Sequence, residues 1–216
     1  MQPNTLQFRI AALLFLVTTT AFIVGNNLLE SALASPAAFE AMRNQVLIGG
    51  SLEIVNSIGV FLIAVLLFQT LWQHSQIVAL SYLGSRLIET ILLSIGTANA
   101  LLPLQLAGGA DLTTALTTAR AWHGLSFNMA MIFLGVGSLM LCALMLRVKL
   151  VPAWLAVLGL LGYGLLMTSV LLELIGIPEN TLLFLPGALF EIVFPIWLFA
   201  KGLVQTSANP ISAARA

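Results

Sequence analysis

Charged side chains are scarce in this sequence. They make up 7% of the 216 residues, whereas a soluble domain carries about 25%. Because 60% of the residues are hydrophobic, this shortage of charge excludes an ordinary soluble fold and indicates a protein whose partner is the lipid bilayer. The eight basic and eight acidic residues give a net charge of zero. No basic surface is therefore available, and nucleic acid is excluded as a partner.

Side chains that hold cofactors in membrane proteins are also scarce. His123 is the one histidine inside an apolar segment, so a haem held by two histidines is excluded. Lys149 and Lys201 lie at the ends of apolar segments, which leaves no mid-membrane lysine for a retinal Schiff base. The single cysteine, Cys142, cannot close an intrachain disulfide. There is no zinc-protease or nucleophile-elbow motif, and the cofactor, if one is used, stays unknown.

Six apolar segments account for most of the chain. Each is close to the ~20 residues that a helix needs to cross a bilayer, and turn or breaker residues separate them. This pattern predicts an all-α integral membrane protein, a six-transmembrane-helix bundle that forms a single membrane domain over residues 1–216. Asp111 is a candidate N-cap for a helix that continues into the fourth span. The predicted spans are 8–29, 45–71, 76–102, 120–146, 152–175 and 182–203.

Basic residues near the span ends predict the orientation, because cytoplasmic ends carry an excess of lysine and arginine. With both termini in the cytoplasm, five of these residues face inward and two face outward. The sequence therefore predicts an N-in/C-in topology. The inward five are Arg9, Arg147, Lys149, Lys201 and Arg215, and the outward two are Arg43 and Arg120.

Several polar residues lie inside the predicted spans, at depths where each needs a partner, a proton or water. We expect five of them, Glu53, Glu89, His123, Asn128 and Glu191, to line one connected cavity in the outer half of the membrane, since a shared cavity satisfies them together. The candidate ligand-binding residues are Glu53, Asn56, Arg86, Glu89, His123, Asn128 and Glu191.

Arg86 and Glu89 are three residues apart, so they share one face of a helix and can pair. A charge at bilayer depth costs roughly 2.5–3.5 kcal/mol, and we therefore expect Arg86 to contact Glu89 or Glu191. Pro195 follows Glu191 by four residues, and its missing N–H leaves the Glu191 carbonyl without its helical partner. Each feature has a structural interpretation, as an ion pair or a plain kink, and a functional one, as part of a binding site.

Five short motifs resemble those of a known family. They are Ser85–Glu89, Trp122–Asn128, Phe133–Gly137, Pro186–Glu191 and the Trp197–Lys201 ending. Together they are similar to a family of uncharacterised bacterial inner-membrane proteins catalogued as domain of unknown function 4386. The resemblance covers nearly the whole chain and implies a six-span protein of the bacterial inner (plasma) membrane. It implies no catalytic role for any residue.

Three functions fit these observations. The favoured one is binding or transport of a small or amphipathic ligand, with Glu89 and Glu191 as protonatable groups and Arg86 as counter-ion. The first alternative is a membrane-embedded enzyme, with Glu53, Glu89, His123 and Glu191 as candidate metal ligands. The second is a non-catalytic subunit whose ion pairs specify packing. A homo-oligomer or a larger membrane complex stays open.

Overall fold

The structure is a computed structural model that describes residues 3–106, 111–178 and 181–203. Within these ranges the chain forms helices and no strand, which confirms the predicted all-α fold. Seven α-helices and one 3-10 turn follow one another. They are α1 (Pro3–Ala32), α2 (Pro36–Ala41), α3 (Arg43–His74), α4 (Gln76–Leu106), α5 (Leu112–Arg147), α6 (Ala153–Leu174), the 3-10 turn Thr181–Phe184, and α7 (Leu185–Lys201).

Six helices are long and apolar enough to cross a membrane, and each of the six predicted spans falls on one of them. They are α1, α3, α4, α5, α6, and α7 together with the end of the 3-10 turn. The helix α4 is longer than predicted, since it runs through Pro103 to Leu106. A proline near the end of a helix removes one hydrogen bond, and the last turn still forms here.

The helix α5 also begins well before the predicted start of its span, and Asp111 is its N-cap, as predicted. The Asp111 carboxylate accepts a hydrogen bond from the Thr114 hydroxyl at 2.7 Å and another from the Thr113 backbone N–H at 3.1 Å. These bonds stabilise the ionised form and lower the pKa of Asp111, the Thr114 hydroxyl contributing most. The preceding residues 107–110, with Gly108 and Gly109, lie outside the described part of the chain.

Two connections have local structures that the sequence explains. A single residue, Ser75, separates α3 from α4, and its side chain accepts a hydrogen bond from the Val78 N–H at 3.3 Å. The connection between α1 and α3 contains the short helix α2. Ser35 caps that helix by accepting from the Ala38 N–H at 3.2 Å, and Pro36 occupies the first turn, where its missing N–H is not needed.

The six spanning helices form a closed ring. Each packs on its neighbour in the order α1, α3, α4, α5, α6, α7, and α7 packs back on α1. We call the end of the ring at which α1 begins the near end, and the opposite end the far end. Buried apolar side chains from five helices close the near end: Phe8, Leu71, Ala79, Met145 and Leu198.

The outer surface of the ring is apolar. Large aliphatic side chains on it are about half exposed, including Leu13, Ile58, Ile91, Leu161 and Ile196. In water such a surface would be a large liability, whereas in a bilayer it faces lipid chains. The polar side chains described below lie instead between the helices, and the ring therefore has the inside-polar arrangement of a membrane bundle.

Two pairs of helices approach closely through glycine. A Cβ atom added at Gly162 of α6 would lie 2.6 Å from the Cα atom of Gly187 in α7. A Cβ atom added at Gly25 of α1 would lie 2.9 Å from the carbonyl oxygen of Gly49 in α3. Small residues allow such backbone contacts in membrane bundles, and here they draw α7 and α3 toward their neighbours in the ring.

The alternating direction of the helices places the basic residues as the sequence predicted. Arg9, Arg147 and Lys201 come at the near end, because α1 begins there and α5 and α7 end there. Arg43 opens α3 at the far end. Arg215, also predicted to face the cytoplasm, lies outside the described residues. The excess of positive charge predicts that the near end faces the cytoplasm, and this orientation stays a prediction.

Candidate functional site

Arg86 and Glu89 form a buried ion pair on α4. The Nη1 atom of Arg86 donates to both carboxylate oxygens of Glu89, at 3.1 and 3.0 Å. The two side chains are only 4% and 3% exposed, so the pair is buried within the bundle. The Nε atom of Arg86 donates to the Tyr82 hydroxyl at 3.2 Å, and its guanidinium lies 5.3 Å from the centre of that ring. The predicted contact between Arg86 and a carboxylate is confirmed.

Glu191 lies at the middle of α7 and faces the interior from the other side of the ring. Its carboxylate accepts a long hydrogen bond, 3.4 Å, from the hydroxyl of Tyr163 on α6. The sequence predicts Glu89 or Glu191 as the partner of Arg86, and the guanidinium bonds Glu89 rather than Glu191. Tyr163 is buried and also packs edge-on against Phe190, with ring centres 5.6 Å apart. The ring therefore positions the hydroxyl toward Glu191.

A second buried cluster joins α3, α4 and α5. The Nε2 atom of His123 lies 3.0 Å from both carboxylate oxygens of Glu53, and one of these oxygens accepts from the Thr97 hydroxyl at 2.7 Å. The side chains of His123 and Glu53 are 7% and 6% exposed. The three side chains therefore form an interhelical hydrogen-bond network.

A cavity of about 280 Å³ lies inside the ring at mid-depth. All six spanning helices line it, and we call it the central cavity. Apolar side chains form most of its wall, including Phe15, Val60, Met131 and Leu166. A short set of polar residues also lines it, namely Thr18, Thr19, Asn56, Arg86, Glu89 and Glu191. The buried ion pair and the Glu191 carboxylate therefore face one space.

A much smaller cavity, about 10 Å³, lies beside it toward the far end. We call this the side cavity. Glu53, Thr97 and His123 line it, and Asn56 and Phe127 border both cavities. A space of this size is at the lower limit for one water molecule, roughly 10–15 Å³. Glu53, Thr97 and His123 therefore surround a space with little room for anything larger than one water molecule.

The structure brings only part of the set predicted to share one cavity to the same space. Glu89 and Glu191 line the central cavity, Glu53 and His123 line the side cavity, and Asn128 is buried but lines neither. The reason for Asn128 is helical phase. His123 and Phe127 are four residues apart and share a face of α5, whereas Asn128 is turned from Phe127 by about 100°.

The candidate metal ligands are divided in the same way. Within residues 3–106, 111–178 and 181–203, no three side chains of histidine, cysteine, aspartate or glutamate come together as a ligand set. Glu53 and His123 form one pair, while Glu89 bonds Arg86 and Glu191 bonds Tyr163. The described residues therefore provide no three-ligand metal centre for the alternative hypothesis of a metal-dependent enzyme.

Two tyrosines that were not among the predicted site residues contact the site's ionisable groups. Tyr82 and Tyr163 are the only two in the chain, and both are buried beside ionisable groups. A signal was available: tyrosines of membrane helices concentrate at the two interfaces, whereas Tyr82 precedes Arg86 by one turn and Tyr163 lies near the middle of α6. A tyrosine placed inside a span calls for a polar partner for its hydroxyl.

The central cavity combines two chemical features. Its apolar wall can contact alkyl or aromatic groups, and its polar groups offer a guanidinium, two carboxylates and an amide to the same space. Arg86 bonds Glu89 and Tyr82, whereas Glu191 has, among the residues that the structure describes, only the long hydrogen bond from Tyr163. A ligand with an apolar body and one polar group matches this division.

Comparisons with known proteins identify the family. The model of the family described as Domain of unknown function (DUF4386) matches residues 10–202, so the chain belongs to that family, as its motifs predicted. No curated protein and no solved structure matches the chain.

Proposed function

We propose that this member of the DUF4386 family binds a small amphipathic ligand inside the bilayer, as a multi-pass protein of the bacterial inner membrane with a single membrane domain. The observation that carries the proposal is the central cavity, because about 280 Å³ at mid-depth is lined both by aliphatic side chains and by ionisable groups. Small-molecule pockets measure roughly 300–1,000 Å³, so the space suits a ligand at the small end of that range.

The cavity also weighs against a purely structural role for the ion pair. A subunit whose polar residues only specify packing needs no open space beside them, since voids in a packed interior forfeit contacts and cost stability. Here Arg86 and Glu89 border an open space. The open space is explained if a ligand occupies it.

Binding, rather than an open channel, fits the near end of the ring. Buried apolar side chains, including Phe8, Leu71 and Met145, fill that end below the central cavity. A carrier would have to open this packed region in a second conformation. Transport is therefore an extension of the proposal that requires a second state, and binding is the step that the present arrangement supports.

The test measures saturable binding of short-chain amphiphiles to the protein in nanodiscs of zwitterionic phosphatidylcholine. Radiolabelled decylammonium, decanol and decanoate serve as probes, and empty nanodiscs give the background. At least one probe should bind saturably to the protein. Ala188→Trp, which places a large ring in the wall of the central cavity, should abolish this binding.

Leu189→Trp is the matched control. Leu189 is the next residue on α7, is 52% exposed on the outer surface and does not line the central cavity. This variant should bind as the unmodified protein does. Equal loss in both variants, or no saturable binding of any probe to the unmodified protein, contradicts the proposal.

A further inference from the structure

We infer that the ligand of the central cavity is a lipophilic ammonium ion that enters from the bilayer between α1 and α7. This inference rests on the proposed function and adds to it the class of ligand, the residue that recognises it and the route by which it arrives. Three observations support it: the balance of charge in the cavity, the aromatic residues of its wall, and the outward exposure of cavity-lining residues on two neighbouring helices.

The charged groups of the central cavity do not balance. Counted in their ionised forms, Arg86, Glu89 and Glu191 leave one excess negative charge. Arg86 is held by Glu89 at 3.0 Å, and no lysine, arginine or histidine of the described chain comes within salt-bridge distance of Glu191. A carboxylate at this depth needs a proton or a cation. An ammonium group supplies the missing cation and donates hydrogen bonds to the carboxylate.

The position of Glu191 on its helix adds a second acceptor. Pro195 lies within α7 and has no N–H, so the backbone carbonyl of Glu191 lacks the helical hydrogen bond that it would otherwise accept. A carboxylate with one long hydrogen bond and a carbonyl without its helical donor therefore occur at one residue. An ammonium group is a donor and not an acceptor, so it suits this pair better than a carboxylate or phosphate would.

The wall of the cavity is compatible with a cation. Four phenylalanines line it: Phe15, Phe22, Phe127 and Phe184. Phe22 and Phe127 stack on each other with ring centres 5.2 Å apart. Aromatic faces attract ammonium groups and repel anions, an effect that grows when the cation is desolvated. The same rings bury the alkyl part of the ligand.

The route follows from how α1 and α7 meet. Among the described residues, the contacts of aromatic side chains between these helices lie in the near half. Phe15 packs on Phe194, with ring centres 5.5 Å apart, and Arg9 lies over the ring of Phe199. Toward the far end, Ile23 of α1 lines the central cavity and is nevertheless 53% exposed. A side chain that reaches both the cavity and the outer surface marks a lateral opening.

Ala188 of α7 has the same double exposure on the other side of this opening. The opening lies within the stretches of both helices that are apolar enough to span a membrane, so in a bilayer we expect it to face lipid chains. The lining of α1 runs from Phe15 to Ile23, about 12 Å along the axis at 1.5 Å per residue. A short alkyl chain can lie along this length with its ammonium group at Glu191.

The test compares the three probes on the unmodified protein in the nanodiscs described above. Decylammonium should bind at least about tenfold more tightly than decanol or decanoate, because a hydrogen bond to a charged group contributes enough for that factor. Glu191→Gln, which keeps the size of the side chain and removes its charge, should reduce the affinity for decylammonium to that for decanol.

Glu173→Gln is the matched control, since Glu173 is a partly exposed glutamate of α6 that does not line the central cavity. It should keep the preference for decylammonium. If Glu191→Gln does not fold, two measurements still test the ammonium preference. One is the comparison of the three probes on the unmodified protein. The other is Glu191→Asp, which keeps the charge and should therefore keep the preference for decylammonium.

The outcomes separate this inference from the proposed function. Equal affinity for the three probes, a preference for decanoate, or an unchanged ammonium preference in Glu191→Gln overturns the inference and leaves intramembrane binding standing. Absence of saturable binding by any probe overturns both. Retained binding with Ala188→Trp shows that the ligand lies elsewhere on the protein and also overturns both.

Discussion

Arg86→Leu should be one of the most destabilising single changes in the bundle. The guanidinium is 3.0 Å from Glu89, and the two side chains are 4% and 3% exposed. Removing one partner of a buried pair leaves the other charge uncompensated, at a cost of about 3–5 kcal/mol. The combination Arg86→Leu with Glu89→Gln removes that uncompensated charge, so it should recover about 2 kcal/mol or more of the loss.

The assay is equilibrium unfolding in mixed micelles of a mild detergent and dodecyl sulfate, followed by circular dichroism. Arg120→Leu is the control, because Arg120 and Glu30 form an ion pair of 2.8 Å whose side chains are 45% and 39% exposed. An exposed pair of this kind contributes about 0–1 kcal/mol. If the double variant is no more stable than Arg86→Leu, Glu89 is not the energetic partner of Arg86 and the reasoning fails.

Three further outcomes are expected. Gly162→Ala should destabilise the protein, since the added Cβ would lie 2.6 Å from the facing backbone. Its control, Gly164→Ala, has nothing within 4 Å of the added Cβ and should be neutral or slightly stabilising. Equal thermal stabilities of the two variants would contradict this prediction. Thr97→Val should cost about 1.5–3 kcal/mol, because it removes a hydrogen bond to a buried carboxylate, and an unchanged free energy of unfolding would show that the bond is not needed. Reporter fusions after residues 110 and 149 should report external and cytoplasmic locations respectively, and the reverse pattern would invert the orientation.

The local features of the fold could be predicted from the sequence because each depends on neighbouring residues. Apolar runs of sufficient length fix the number of spans. The spacing of three between Arg86 and Glu89 places them on one helical face, and Asp111 stands where a helix needs an acceptor for its first N–H groups. None of these predictions requires knowledge of which helices are neighbours.

The partners between helices could not be predicted in the same way. Glu53 on α3 meets His123 on α5, and Tyr163 on α6 meets Glu191 on α7. These contacts depend on the order of helices in the ring and on the rotation of each helix about its axis. A short sequence motif constrains neither. Asn128 is an example. It follows Phe127 by one residue and is therefore turned from it by about 100° around the helix, so Asn128 lines neither cavity.

The most direct test of intramembrane binding is photolabelling of the protein in phosphatidylcholine nanodiscs with a diazirine-bearing decylammonium, followed by peptide mass spectrometry. The account predicts adducts at residues that line the central cavity, such as Met131 and Leu166, and loss of these adducts when unlabelled decylammonium is in excess. Labelling confined to outward residues such as Ile58 and Ile91, and unaffected by the competitor, would contradict it.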